Sequence, residues 1–396
     1  MKETLIGIFK KIYASFFFII FRCIPIQNKV VFSSFSGKRY GDNPKIISQK
    51  LYEEHPEIGQ VWLYKNNKFE DVPQNIIQKK WSSIGMIYEL ATAKVWVDSH
   101  TKPEWVLKRK KQFFIETWHG GLGMKKIEGD AEDKLPTKIV NRIKHNSKMT
   151  DVLISNSDWL TEIYKRAFFY NGRIEKIGYP KNDYLLNLPK GIKEKVYEYY
   201  NFDSECKFLL YTPTMRENPK KEIFAIDAIN VIKELEEKYN GKWKILIRLH
   251  PANENFISEI KFNENIINAT DYPDILELIV ASEILLTDYS SCIFDAALIK
   301  KKSMIFALDE EEYIKERGLY VNLDDLPFLI ARNNEELLKN IKKFDNEKYE
   351  QKVKEYFNKV GLLEDGKSTE KIIKMIMSEM EEKYEYSGNF CKWKRY

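Results

Sequence analysis

Residues 113–126 read FFIETWHGGLGMKK, an apolar run that ends in Glu116-Thr117 and opens into Trp118-His119-Gly120-Gly121-Leu122-Gly123, then Lys125-Lys126. A strand that ends this way predicts a ligand edge. The glycines free the backbone to turn toward a helix and approach a ligand, and the exposed amides can meet phosphate oxygens. The same punctuation recurs along the chain. Apolar runs at 30–35 (VVFSSF), 61–64, 94–98 (KVWVD), 113–117 and 152–156 predict strands, with helical patterns at 44–54 and 83–93 between them. After Tyr179-Pro180 the pattern restarts with a helix at 192–200 and strands at 208–212 (FLLYT), 243–249 (WKILIRL), 284–288 (ILLTD) and 304–308 (MIFAL). Helices at 227–239, 274–281 and 292–300 separate these strands. Strand–helix alternation carried through twice predicts two doubly wound α/β domains.

The expected division is an amphipathic segment 1–27, a first Rossmann-like domain 28–188, a second 189–368, and a helix and tail 369–396. The path of that last helix, 369–384, allows a return to the first domain. Open parallel sheets bind ligands outside the carboxyl ends of their strands. Two of them face to face enclose a cleft, and the unusual residues fall at those strand ends.

His119 stands where a neutral imidazole would take a proton from an attacking hydroxyl; the plain alternative is a turn histidine bonded to a carbonyl. Arg248-Leu249-His250-Pro251 closes another strand. Alternation puts Arg248 and His250 on one face, suited to phosphate charge, whereas a surface arginine with a turn-capping histidine is the plain reading. Thr287-Asp288-Tyr289-Ser290-Ser291-Cys292 opens a helix that continues through Asp295. Hydroxyls and free amides at a helix start form a phosphate seat, although serine is also a favoured N-cap. Capping requires neither Asp288 nor Asp295. The polar loop 211–218 (YTPTMREN), with Thr214 and Arg216, reads nearly as well as an ordinary surface loop. No Walker A, GxGxxG or nucleophile-elbow pattern is present.

Bulk properties narrow the field. The 396 residues carry 64 basic and 59 acidic side chains, a net +5, too even a balance for a nucleic-acid-binding face. Cys23, Cys206, Cys292 and Cys391 are scattered and read as reduced thiols; the five histidines lack ligand spacing, so no metal or other cofactor is expected. Near the N-terminus, Lys2, Lys10, Lys11 and Arg22 flank the apolar run 14–21. A span needs about 20 apolar residues, so this run predicts a segment lying on an anionic membrane surface, with a buried first helix as the alternative. The tail 390–396 (FCKWKRY) has the composition to touch the same surface.

Several of these pieces occur in the order seen in the CDP-glycerol glycerophosphotransferase family of teichoic acid synthesis. TWHGGLGMKKIEGD, IGYPKNDYLL, YTPTMREN, IRLHP and LLTDYSSCIFDAALIKKKSMIFALDEEEY with the later RGLY are similar to its motifs, and SFSGKRYGDNPKII resembles its N-terminal domain. The resemblance covers about residues 30–320. It implies a GT-B-like pair of Rossmann-type domains, acceptor side first and donor side second, with an N-terminal membrane-associating helix at the cytoplasmic face of the membrane. It implies His119 and His250 as the catalytic pair. Gly120, Lys181, Thr214, Arg216, Arg248, Thr287, Asp288, Ser290, Ser291, Asp295 and Arg317 would contact substrate. The implied reaction moves glycerol phosphate from CDP-glycerol to a hydroxyl of an undecaprenyl-diphosphate-linked ManNAc-GlcNAc acceptor and releases CMP. The chain length favours a primase. A glycerol- or ribitol-phosphate polymerase acting on a polyol-phosphate acceptor is the alternative, and an oligomer is compatible with either. A sugar-nucleotide glycosyltransferase of the same architecture and a catalytically dead scaffold are the rival classes. Two departures stand out: Gly121-Leu122 replaces the family's usual Thr-Pro, and Lys181 stands where arginine is expected, keeping the charge but losing bidentate geometry.

Overall fold

Each central strand is a short run of mostly apolar residues buried on both faces, the composition expected of parallel sheets covered by helices. The computed structural model describes residues 2–216 and 225–381. The first seven strands are β1 Gln27–Ser33, β2 Gly59–Tyr64, β3 Ile77–Lys80, β4 Ala93–Asp98, β5 Phe113–Glu116, β6 Val152–Ser155 and β7 Arg173–Lys176. They form one parallel sheet in the order β3-β2-β1-β4-β5-β6-β7. The next six are β8 Lys207–Thr212, β9 Trp243–Ile247, β10 Ile266–Asn268, β11 Ile284–Thr287, β12 Lys302–Phe306 and β13 Leu329–Ala331. They form a second parallel sheet in the order β10-β9-β8-β11-β12-β13. Both orders reverse direction beside the first strand, which is the doubly wound topology with its ligand crevice at the reversal point.

The helices of the first half are α1 Lys2–Phe21, α2 Asp42–Glu54, α3 Ile84–Thr92, α4 Thr137–Met149 and α5 Asp158–Ala167. Then α6 Pro180–Leu186 and α7 Ile192–Tyr200 lead into the second half, with α8 Ala228–Tyr239, α9 Ile275–Ala281, α10 Cys292–Leu298, α11 Glu310–Glu316, α12 Asn334–Lys343 and α13 Asn346–Lys359. Finally α14, Ser368–Glu381, packs Ile372, Ile373, Ile376 and Met380 into the core of the first domain with Val30, Phe32 and Val95. Asp183 fixes its entry: Oδ1 accepts from the Ser368 amide (3.1 Å) and Oδ2 from the Thr369 amide (2.5 Å) and hydroxyl (2.7 Å). Gly178 makes room for this return. Its φ is +88°, and a β-carbon there would lie 2.5 Å from Ser368 Oγ.

The expected strands are present with ends shifted by a few residues, and four further strands, β3, β7, β10 and β13, lie at the sheet edges. Charged sequences such as IQKK and RIEK reflect edges with one wet side. Helix α1 presents two faces. Ala14 and Phe18 are buried with Met86, Ile87 and Leu90 of α3, as a first core helix would be. Ile12, Tyr13, Phe16, Ile19 and Ile20 are exposed. No helix among the described residues is long and apolar enough to cross a membrane. The tail 390–396, with Cys391, and Glu217-Asn218 of the polar loop lie outside the described residues.

Truncating one side chain of the returning helix should destabilise the first domain. Ile376 is fully buried, so Ile376→Ala is expected to cost about 2–5 kcal/mol in denaturant unfolding. The exposed Ile19→Ala should stay within about 0.5 kcal/mol of the parent.

Candidate functional site

The turn after β5 is held in a strained shape by four separate contacts. Trp118 has a φ of +53°, costly for a bulky side chain, by about 1–3 kcal/mol. Its N–H donates to Glu116 Oε1 (3.1 Å), and its carbonyl accepts from Asn43 Nδ2 (3.0 Å). The Gly120 carbonyl accepts from the Tyr164 hydroxyl (3.0 Å), which Tyr179 approaches at 2.6 Å. His119 Nδ1 lies 3.0 Å from the Ser99 carbonyl. A carbonyl only accepts, so Nδ1 carries the hydrogen and Nε2 keeps its lone pair. Burial, then the neighbouring His100, lower the His119 pKa to about 3. The ring is therefore neutral at physiological pH, with Nε2 unprotonated and able to accept a proton, although burial makes it a weaker base than a free imidazole.

Behind this turn lies a buried polar layer. Asp98 accepts from Ser33, from Lys102 Nζ (2.5 Å) and from the His100 amide (3.0 Å). Glu116 also accepts from Asn146 (3.1 Å). Burial and then Asp98 push its carboxyl up to about 8. These groups shape the turn and lie behind it, at the carboxyl ends of β4 and β5.

The second sheet supplies the facing strand ends. His250 follows β9 and reaches solvent; crowding by the cleft walls, then Lys125 and Arg39, lower its pKa to about 4. Arg248 is buried. Its Nη1 donates to the carbonyls of Ala269 (2.9 Å) and Tyr272 (2.6 Å), while Nη2 has no hydrogen-bond partner among the described residues. Burial, then Arg39, lower its pKa to about 10. Ser291 begins α10 without making a side-chain cap bond, so its hydroxyl is not consumed as the N-cap reading requires. Ser290 Oγ accepts weakly from the Cys292 amide (3.4 Å).

Other expected site residues are engaged with the protein. Arg216 grips Asp309 through Nε (2.7 Å) and Nη2 (2.9 Å), and Asp288 through Nη2 (2.9 Å), beside the stacked rings of Tyr289 and Tyr313. Although desolvation opposes it, this pairing raises the Arg216 pKa above the ordinary guanidinium value. Asp288 also accepts from the Thr214 amide (2.8 Å), the Thr214 hydroxyl and the Tyr289 amide (2.6 Å). The Thr287 hydroxyl donates to the Thr212 carbonyl (2.6 Å). Lys181 and Asp295 form a buried pair at 2.7 Å. Arg317 closes α11 with no ion pair among the described residues. Among those residues no cluster of three or more His, Cys, Asp or Glu side chains is arranged to hold a metal ion.

The sequence reading assigned no role to Asp42, Asn43, Arg39 or Lys125. Asn43 is bonded at both ends: besides the Trp118 contact, its Oδ1 accepts from the Lys181 amide (3.0 Å). Asp42 has a φ of +60°, and its Oδ2 is buried without a partner among the described residues. Burial pushes its carboxyl up to about 7 even though Lys181 lies near. The signal for Arg39, Asp42 and Asn43 was the segment SFSGKRYGDNPKII, dense in polar and turn residues immediately after a strand, and that for Lys125 was the glycine-rich stretch TWHGGLGMKK.

Two doubly wound domains with a neutral histidine at a strand end of one and the buried Arg248 at a strand end of the other have the architecture of a GT-B-like transferase. Residues 15–378 match the family described as CDP-Glycerol:Poly(glycerophosphate) glycerophosphotransferase, and the chain belongs to that family. It is 31% identical to the teichoic acid poly(glycerol phosphate) polymerase of Staphylococcus epidermidis over 89% of this chain and 51% of that one. The chain thus spans about half the length of that relative. It is 27% identical to the polymerase of the same description from Bacillus spizizenii, over 95% of this chain and 100% of that one. The fold matches the solved wall teichoic acid polymerase TagF with a TM-score of 0.84 and 28% identity, covering 97% of each chain. A variant of that polymerase soaked with CDPG matches with a TM-score of 0.84 and 29% identity, covering 95% of each chain.

Two outcomes test this geometry. Both histidines have depressed pKa values, about 3 for His119 and about 4 for His250. Histidine NMR should therefore show the signals deleted by His119→Asn and His250→Asn staying neutral from pH 8 down to about 5.5, below the ordinary value of about 6.5. The linked stability is present above the unfolded value of about 6.5 and is lost as pH falls toward the folded values. Asp42 and Glu116, raised to about 7 and 8, contribute in the opposite sense, so the comparison of each variant with the parent isolates the imidazole. The second outcome concerns the buried pair. Lys181→Met strands Asp295 and should cost about 3–5 kcal/mol by chemical denaturation, with much of the loss restored in Lys181→Met/Asp295→Leu.

Proposed function

We propose that this chain transfers glycerol phosphate from CDP-glycerol to a hydroxyl of a lipid-linked acceptor, releasing CMP, in the assembly of wall teichoic acid. The observation that carries this reading is His119. Its Nδ1 is fixed on the Ser99 carbonyl, its ring is neutral, and its Nε2 is free to take a proton. Cytidine diphosphate chemistry is supported by membership of the family and by the CDPG soak of the related polymerase.

The reaction is a displacement at phosphorus. The acceptor hydroxyl oxygen forms a bond to the β-phosphorus while its proton passes to His119 Nε2. The bond from that phosphorus to the oxygen bridging to CMP breaks, and its electron pair leaves on the CMP phosphate. Arg248, His250, Arg317 and the hydroxyls of Ser290 and Ser291 face the charge that shifts in this step. Such positioning and electrostatic stabilisation account for most of the acceleration in phosphoryl transfer. Gly120 lends its backbone to the turn. Thr214, Arg216, Thr287 and Asp288 shape the donor wall, and Lys181 with Asp295 braces it. The exposed apolar residues of α1, with Lys11 and Arg22 on the same helix and its end, support docking on the anionic cytoplasmic leaflet where a lipid-linked acceptor resides.

Chain extension is the second reading. The related proteins from S. epidermidis and B. spizizenii are both described as polymerases, which favours repeated addition over the single addition expected from chain length.

Purified protein incubated with CDP-glycerol and a lipid-linked disaccharide analogue should release CMP, with products resolved by mass spectrometry. One added glycerol phosphate marks a primase and a ladder marks a polymerase. His119→Ala should lower turnover by about 10²–10⁴-fold without loss of fold. Turnover of CDP-ribitol or a nucleotide sugar in place of CDP-glycerol would overturn the donor, and near-parental activity of His119→Ala would overturn the base.

A further inference from the structure

We propose that Lys125 is a phosphate-contacting residue which the first domain contributes across the cleft, its ammonium meeting the pyrophosphate of the donor. This rests on the reading of the site as one for a nucleoside-diphosphate donor and adds a residue to it.

The segment that carries Lys125 belongs to the first domain in sequence and to the second in packing. Leu122 and Met124 are buried in the core of the second domain. The main chain of Lys125 forms an antiparallel bridge with Leu319. The Tyr320 amide donates to the Met124 carbonyl (2.7 Å), and the Lys126 amide to the Gly318 carbonyl (3.0 Å). Gly123 passes so near α10 that a β-carbon on it would lie 3.9 Å from Ser291 Cβ. The strap thus starts at the His119 turn and ends beside Arg317, passing the seryl start of α10.

Lys125 lies close enough to each histidine to help depress both imidazoles. Arg317, Asp288 and Arg216 are its other charged neighbours. Asp288 and Arg216 are committed to each other and to Asp309. Lys125 itself has no hydrogen bond or ion pair among the described residues, and neither has the Arg317 side chain. Lys125 and Arg317 are half-buried cations close enough to repel one another; Asp288 and Glu128 act on them only at a distance, and an anion bound between the two cations would relieve the repulsion. A pyrophosphate supplies that anion, with oxygens enough for Lys125, Arg317 and the seryl hydroxyls together. Burial, then Arg317, bring the Lys125 ammonium down to about 8, so it remains mostly charged at neutral pH and gains from the phosphate. The bridge to Leu319 uses main-chain atoms, so the side chain is not needed to build the strap.

The test is calorimetric titration of the parent, Lys125→Met and Lys125→Arg with inorganic pyrophosphate, CDP and cytidine, alongside steady-state turnover. Lys125→Met is expected to weaken pyrophosphate and CDP by about 10- to 100-fold while cytidine binding stays within about twofold, and Lys125→Arg to recover most of the loss. Its kcat/KM for CDP-glycerol should fall by at least the same factor. Unchanged pyrophosphate affinity in Lys125→Met, or equal loss of cytidine and CDP, would overturn the proposal, the second by showing that the residue only supports the strap. Pyrophosphate reads on Lys125 whatever nucleoside the donor carries. A parent that binds pyrophosphate through Lys125 yet releases no CMP therefore sinks the CDP-glycerol reading alone.

Discussion

One side-chain amide joins the His119 turn to the opposite wall of the cleft. Asn43 donates to the Trp118 carbonyl and accepts from the Lys181 amide, and the Lys181 ammonium in turn holds Asp295 on α10. Three links therefore run from the residue beside His119 to the helix that starts at Ser291. All are buried, where each hydrogen bond is stronger and each broken one costlier than in water. The strain at Trp118 is tolerable because both peptide groups flanking its α-carbon are tied. Without them the backbone would relax toward an ordinary conformation and the imidazole would turn away from the cleft.

The cleft sorts its cations into two groups, and that sorting separates structure from ligand binding. Arg216 and Lys181 are neutralised by carboxylates inside the protein, so they stabilise the donor wall and have little charge left to offer. Arg317, Lys125 and the free edge of Arg248 form no ion pair among the described residues and feel carboxylates such as Glu128, Asp288 and Asp274 only at a distance, which leaves their desolvation partly unrepaid. On the proposed function, charges set in place by the fold would stabilise a shifting phosphate charge with little reorganisation. Substrate distinguishes itself from water by repaying the desolvation that folding imposed.

The frame was legible in sequence because central strands are buried on both faces and announce themselves as apolar runs. Edge strands do not: Arg173–Lys176 carries three charged residues of four and reads as loop until its neighbour is known. Within the site, strand-end histidines could be found because parallel sheets bind ligands at that edge. Arg216 and Lys125 could not be told apart, since each is a basic residue in a polar loop. Their difference is set by Asp309 and Asp288, 93 and 72 residues from Arg216 in the chain. Asn43 was hidden for the same reason, as its partners lie 75 and 138 residues away.

The replacement of Thr-Pro by Gly121-Leu122 has a consequence for motion. Proline would stiffen the turn through its own ring. Here stiffness comes instead from packing, since Leu122 is 2% exposed and Met124 fully buried in the second domain's core. Swinging the domains apart would return both side chains to water at about 1.5–3 kcal/mol each. Breaking the bridge at Leu319 and the Asn43–Lys181–Asp295 links would add to that cost. A widely opened state is therefore sparsely populated, by the usual relation between free energy and population. On the proposed function, donor and acceptor would meet in a cleft whose walls are already in place, with His119 and the facing cations at a fixed separation.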